Sequence, residues 1–256
     1  MAGWERKRFW SSARIASAGD GYAILLDGRA TRTPAGARLI APTRALAGRI
    51  AGEWEAQWKV VDPSSMPVTR CANAAIDKVR PRLHETVAAI AKYGESDLLC
   101  YRAREPEELI QRQAAEWDPL LDWGATALGA RLIPTQGVMF QPQPPESLAA
   151  LRKRISGMSD FQLAAFHELV GISGSLILAF AVTHGHLDPE SAWRASSVDE
   201  DWQAERWGED MEASLASASK QAAFALAAEI FDLSGRARGK PPPRPVRRNS
   251  GRRRKN

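Results

Sequence analysis

Four histidines, two cysteines and 30 carboxylates are the groups from which this 256-residue chain could assemble a reactive site. His184-Gly185-His186, followed by Asp188, puts two imidazoles and a carboxylate close together. No third and fourth ligand stand at a spacing that a metal site would use. The segment closes an apolar helix just ahead of Asp188-Pro189, where an imidazole can serve the last carbonyls, so it reads as a structural loop. His167-Glu168 lacks the second histidine of H-E-x-x-H, and His84 falls on a solvated helix face. Cys71 and Cys100 have no local base and read as small buried hydrophobes. No phosphate loop of the G-x-x-x-x-G-K-[ST] or G-x-G-x-x-G type is present, and no G-x-S-x-G. Gly19-Asp20-Gly21 reads as a turn, and Gly171-Ile172-Ser173-Gly174-Ser175 as a small-residue stretch that lets two helices approach. The chain is therefore not expected to be an enzyme or to hold a metal or cofactor.

Two features point to binding instead. Nine tryptophans outnumber three tyrosines, and Trp54, Trp58, Trp117, Trp123, Trp193, Trp202 and Trp207 all fall in predicted helices. Most are expected in the core, with some left for an exposed contact patch. Acidic residues also cluster at Asp199, Glu200, Asp201, Glu205, Glu209, Asp210 and Glu212. Asp201, Glu205 and Glu209 recur every fourth residue, so they share one helical face and repel one another. Ser197-x-x-Glu200 matches a capping box that would open a long helix reaching Leu233. The face is read either as solvated or as a docking strip for a basic partner. The partner-binding candidates are Glu200, Asp201, Glu205, Glu209 and Asp210.

The elements that must position these residues are legible from punctuation and period. Tyr22–Leu26 is a strand, and Asp27-Gly28 is the preferred type I′ hairpin pair. Flanking segments at Phe9–Ala16, Arg29–Arg32 and Arg38–Ala41 complete an antiparallel meander. After Pro42 the period becomes helical. Thr43 is an N-cap, and Leu46, Ile50, Trp54 and Trp58 form one apolar face. Further helices are predicted over Val68–Val79, from Leu83 to Gly94, over Glu107–Trp117, and from a start at Asp118-Pro119. Ile133–Pro145 reads as an extended connection. Helices resume from Glu146, with one following Ser159 and a short one from Asp188-Pro189 to Trp193. The fold class is α+β, with a small antiparallel β domain over residues 1–42 and a larger all-helical domain over 43–235.

Charge is distributed unevenly. Ten of the 35 basic residues lie within residues 236–256, which contain no acidic residue. The remaining 235 residues hold 25 basic against 30 acidic. An acidic body thus carries a basic tail rich in Pro, Gly and Arg, and that composition predicts disorder. Mean hydropathy is −0.34 and no apolar run approaches the ~20 residues of a spanning helix. No secretory leader is evident at Met1–Trp10.

Several strings together resemble one known family. They are Gly21-Tyr22-x-Ile24-x-Leu26-Asp27-Gly28-Arg29, Thr33-Pro34, Glu53-Trp54, and Asp62-Pro63-x-x-Met66-Pro67-x-Thr69-Arg70 with Asn73 and Asp77. Asp97–Ala103, Arg112-Gln113-x-x-x-Trp117-Asp118-Pro119, Gly174-Ser175-Leu176 and Asp199-Glu200-x-x-Gln203-x-x-x-Trp207-Gly208-x-Asp210 follow. In this order they resemble the ATP-twelve family of assembly chaperones for the catalytic head of the F-type ATP synthase. The resemblance implies a small β domain with a helical domain and an ATP-independent task. That task is to bind the free α subunit of the F-type ATP synthase and shield its subunit interface until β subunits arrive. It implies functional acidic residues in the last conserved helix, which Glu200, Glu205, Glu209 and Asp210 fit. Lacking the transit peptide of mitochondrial members, the chain reads as bacterial and cytoplasmic, monomeric, and without specific nucleic-acid recognition. The alternative is a nucleic-acid-associated protein that binds through the basic tail.

Overall fold

Asp27 and Gly28 both take positive φ, 46° and 81°, as a type I′ turn demands. They join strands β2 (Gly21–Leu26) and β3 (Arg29–Ala30). The Asp27 carboxylate also accepts from the backbone N–H groups of Ser11 and Ser12, which holds the entry to strand β1 (Ala13–Ala18). A computed structural model describes residues 7–19, 21–137, 139–208 and 210–235. The basic tail and its predicted disorder lie outside the described residues. Strand β2 is the centre of the sheet. β1 pairs with it antiparallel from Ala13 opposite Leu26 to Ala18 opposite Gly21. β3 and β4 (Ile40–Ala41) share its other edge, β4 through Tyr22 opposite Ala41.

One apolar cluster joins this sheet to the helices: Ile24, Leu39 and Ala41 are buried with Leu46 and Ile50 of helix α1 (Arg44–Glu55). Thr43 caps α1 by accepting from Leu46 N, 3.1 Å. The helix ends at Glu55, so Trp58 is not on its face as the spacing suggested and stands 78% exposed. Buried Gln57 turns the chain there: its side chain donates to Glu53 O and accepts from Asp62 N at 2.7 Å.

Helix α2 (Pro67–Ala74) starts on a carboxylate from α1. Glu53 accepts from Val68 N and Thr69 N, both at 2.7 Å. The predicted stop near Pro81 does not occur. A π-turn over Ala75–Val79 and a 3-10 turn over Arg80–Arg82 carry the chain straight into α3 (Leu83–Ala91). Proline is tolerated at such a junction because it stands in the first turn of the next segment. Asp77 reaches back to the sheet, accepting from Thr33 Oγ1 at 2.6 Å and Ala35 N at 3.0 Å.

The predicted boundary at Asp118-Pro119 is also absent. Helix α4 runs unbroken from Glu107 to Trp123 with Pro119 inside it, and Asp118 pairs with Arg102 instead of capping. The predicted connection, Ile133–Pro145, is largely extended among its described residues up to Pro144, and Pro145 already opens the next helix. Within it β6 (Thr135–Gln136) makes an unpredicted parallel pair with β5 (Tyr101–Arg102). Helices α5 (Pro145–Ile155), α6 (Asp160–Ser173) and α7 (Leu176–Thr183) follow. α6 carries nine buried residues and packs against α2, α3 and α7. The small-residue stretch between α6 and α7 is a turn: Gly174 is left-handed at φ 68°, and Ser175 caps α7. Among the described residues no helix is long and apolar enough to cross a membrane.

Asp97 secures this turn to the β5 segment. It is fully buried, accepting from Leu99 N at 3.1 Å and from Ile177 N, at the start of α7, at 3.2 Å. Burial pushes its carboxyl up from 3.8 to about 6, against the hydrogen bonds it accepts. The folded chain therefore holds this proton more tightly than the unfolded chain. Its contribution to stability is fully present below about pH 4, is lost as pH rises to about 6, and is flat above, a change of about 3 kcal/mol. Denaturant unfolding of the native chain and of Asp97→Asn should show the native chain losing stability relative to the variant across that window. Parallel curves would refute the assignment.

Candidate functional site

The acidic cluster lies on α9 (Val198–Trp207) and on the turn that follows it. Helix α8 (Pro189–Ser196), capped by Asp188, ends one residue before α9 begins. The predicted capping box does not form for that reason. The terminal carbonyls of α8 need donors, and the Ser197 hydroxyl turns back to Trp193 O at 3.1 Å. Glu200, the expected partner in the box, is exposed.

What fixes α9 is α4. Trp117, fully buried, donates its indole N–H to Ala195 O at 2.7 Å, pinning the last turn of α8. One turn earlier, buried Gln113 accepts from Ala103 N at 2.8 Å and donates to Asp199 at 2.6 Å. Beside it the Arg112 guanidinium forks onto both Glu205 oxygens, at 2.7 and 2.9 Å. That pair lowers the Glu205 carboxyl from its ordinary value, chiefly through the hydrogen bonds, and raises Arg112 in return. Glu205 is thus committed within the molecule, and the repulsion read from its spacing is relieved by a cation 93 residues away. Arg206 lies over the Trp202 ring at 5.1 Å.

The long helix predicted from Ser197 to Leu233 is two helices. Gly208 takes φ 93° and ψ 156°, a conformation open in practice to glycine alone, and α9 stops before it. Asp210 then caps α10 (Met211–Leu233), accepting from Glu212 N at 2.9 Å. Asp201 and Glu205 therefore share a face of α9 as predicted. α9 ends at Trp207, and Glu209 lies outside the described residues. Asp210 sits on the turn. Glu200, Asp201, Asp210 and Glu212 are exposed, and among the described residues none of them forms an ion pair.

The other sequence candidates take structural places. His184 ends α7 with Nδ1 3.0 Å from Phe180 O, and His186 stacks on Trp123 at 4.7 Å, where burial lowers its pKa. Burial raises both thiols, Cys71 to about 12 and Cys100 further. Among the described residues no group of three His, Cys, Asp or Glu could hold a metal ion. A cleft of about 490 Å³ between α4, α8 and α9 mixes Arg112 and Arg194 with Glu116 and Asp201, so it presents no single charge to a ligand. Of the seven tryptophans predicted in helices, Trp117 and Trp193 are buried, while Trp58 and Trp207 stand 78% and 79% exposed. Sequence reasoning passed over Met211 and Leu215, also exposed. The signal available was a run from Met211 to Ala223 carrying only two charged residues, Glu212 and Lys220.

Trp117→Phe should leave the Ala195 carbonyl buried and unpaired, at about 1–3 kcal/mol. Amide exchange should accelerate in α8 and α9 and stay unchanged in α6. Equal acceleration in α6 would show that the indole supports the whole core rather than the seat of α9.

The comparisons follow this geometry. A sequence model described as ATP12 chaperone protein matches residues 7–125. The mitochondrial protein atp12 of Schizosaccharomyces pombe is 27% identical over 214 residues, covering 79% of this chain and 74% of its own. The crystal structure of Atp12 from Paracoccus denitrificans is 46% identical and superposes with a TM-score of 0.87, over 91% of this chain and all of that one. The Atu1473 protein of Agrobacterium tumefaciens is 43% identical, with a TM-score of 0.83 over 89% of this chain and 85% of that one. With the Paracoccus protein matched along its whole length and the same small sheet set on the same helices, the chain belongs to the ATP12 chaperone family.

Proposed function

We propose that this protein is an ATP-independent assembly chaperone of the F-type ATP synthase that binds the free α subunit and shields its subunit interface until β subunits arrive. Family membership is the observation that carries this reading. An unpaired subunit exposes an apolar interface and aggregates, and a folded protein that covers it lowers the concentration of the free species. The task asks for a rigid surface and no chemistry, so the protein acts without catalysis or cofactor and as a monomer. Greater identity to the Paracoccus and Agrobacterium proteins than to the yeast one supports a bacterial protein, and we place its work in the cytoplasm.

The acidic turn is the contact for basic groups on the client. Glu200, Asp201 and Asp210 are exposed and hold no ion pair among the described residues, whereas Glu205 is partnered by Arg112. Charges of this kind steer association. The ten basic residues of 236–256 favour a second reading, salt-dependent binding to nucleic acid.

Light scattering of isolated α subunit, without nucleotide, tests the proposal. Equimolar protein should suppress aggregation, and removing residues 236–256 should leave that protection intact. Glu200→Gln with Asp210→Asn should slow association and flatten its salt dependence. Protection lost with the tail, together with tail-dependent capture of duplex DNA, would favour the second reading.

A further inference from the structure

Helix α10 has two apolar faces, and the molecule uses one. Its C-terminal half buries Phe224, Ala227, Ala228 and Ile230 against α6 and α8. From Met211 to Ala223, by contrast, no residue is buried. At about 100° per residue, Met211, Leu215, Ala218 and Ala222 fall on one line, and Phe224 lies on the far side, about 150° round the helix. The free stripe is therefore not a fraying continuation of the core face. The core face continues through Ala213, Ser217 and Lys220, which carry no large apolar side chain. Met211 is 79% exposed and Leu215 68%, and Trp207, 79% exposed, stands one short turn away at the end of α9.

A solvated helix of this length ordinarily carries charge all round or on its outer face. Over its free half, Met211 to Ala223, this one carries apolar residues there and a single carboxylate, Glu212, next to Asp210 at its cap and near Glu200 of α9 in sequence. We infer that the outer stripe of α10, with Trp207, is the surface that seats the client. Its occupant is a folded protein presenting an apolar groove bordered by lysine or arginine. The inference rests on the chaperone reading above and adds where the affinity resides: in the apolar stripe, with the acidic end setting orientation and approach. A second copy of this chain is the competing occupant, because exposed Trp58 and Val60 line another partly apolar surface beside Lys7 and Lys59.

The test uses the full chain and purified α subunit. Met211→Ser with Leu215→Ser should weaken binding about tenfold or more, mainly through faster dissociation. Circular dichroism and melting temperature should not change, since no core contact is removed. Lys220→Ser, on the opposite side, should bind as the native chain does. A photoreactive phenylalanine analogue at position 215 should cross-link to α subunit, and the same group at position 220 should not, which decides the matter even if the serine variant unfolds. Unchanged affinity in a folded serine variant overturns the inference and leaves the chaperone reading standing. If the native chain fails to bind α subunit, both fall. If the native chain sediments as a dimer or larger species that the serine variant returns to monomer, the stripe is a self-interface and the inference is overturned.

Discussion

The placement of α9 and of the acidic turn after it depends first on one buried polar contact, the indole N–H of Trp117 on the Ala195 carbonyl. α9 has one buried residue of its own, Val198, so hydrophobic packing cannot fix its direction. The direction comes instead from three successive side chains of α4. Arg112 holds Glu205, Gln113 holds Asp199, and Trp117 holds the end of α8. α4 is itself braced from the other side, where Arg102 lies 5.2 Å over the Trp117 ring, donates to Leu99 O and pairs with Asp118. Asp97, two residues before Leu99, ties that segment to the start of α7. The acidic turn is thus connected to the centre of the protein by side-chain hydrogen bonds, whose geometry is more directional than packing.

This arrangement accounts for what the sequence disclosed. The strings that revealed the family are, for the most part, carboxylates that cap or staple. Asp27 holds the entry to β1, Glu53 starts α2, Asp77 grips the Thr33 turn, and Asp97 joins β5 to α7. Such groups act within fixed local geometries, so they leave recognisable spacing. The sheet, its I′ turn and most helices were legible for the same reason. What was not legible is non-local. The partner of Glu205 lies on another helix, and the two-residue parallel pair of β5 and β6 has too little sequence to show a period. The break at Gly208 was hidden because acidic spacing on either side matched a continuous helix, and only the backbone angle ends it.

Helix α10 also states the energetic compromise of a protein that meets sticky surfaces. Burying the outer face of α10 in its own core would stabilise the fold but remove the surface. Leaving it bare invites self-association, which the acidic end and the −5 charge of the first 235 residues oppose by repulsion. Alanine-rich composition keeps the unsupported half helical without large side chains, since alanine has the highest helix propensity. Strong anchoring of the far end helps as well: Glu229 pairs with Arg49, and the Thr43 hydroxyl donates to Leu233 O.

That anchoring separates two kinds of selection along a single helix. At Phe224 and Ile230 the protein's own packing decides which residues are tolerated, and a polar replacement would be removed by misfolding before any partner was met. Nine and thirteen residues before Phe224, at Leu215 and Met211, the core makes no such demand. Serine in place of Leu215, already 68% exposed, would remove no buried side chain and open no cavity in the core. A constraint on the leucine and methionine there would act from outside the molecule, on its encounters and not on its folding.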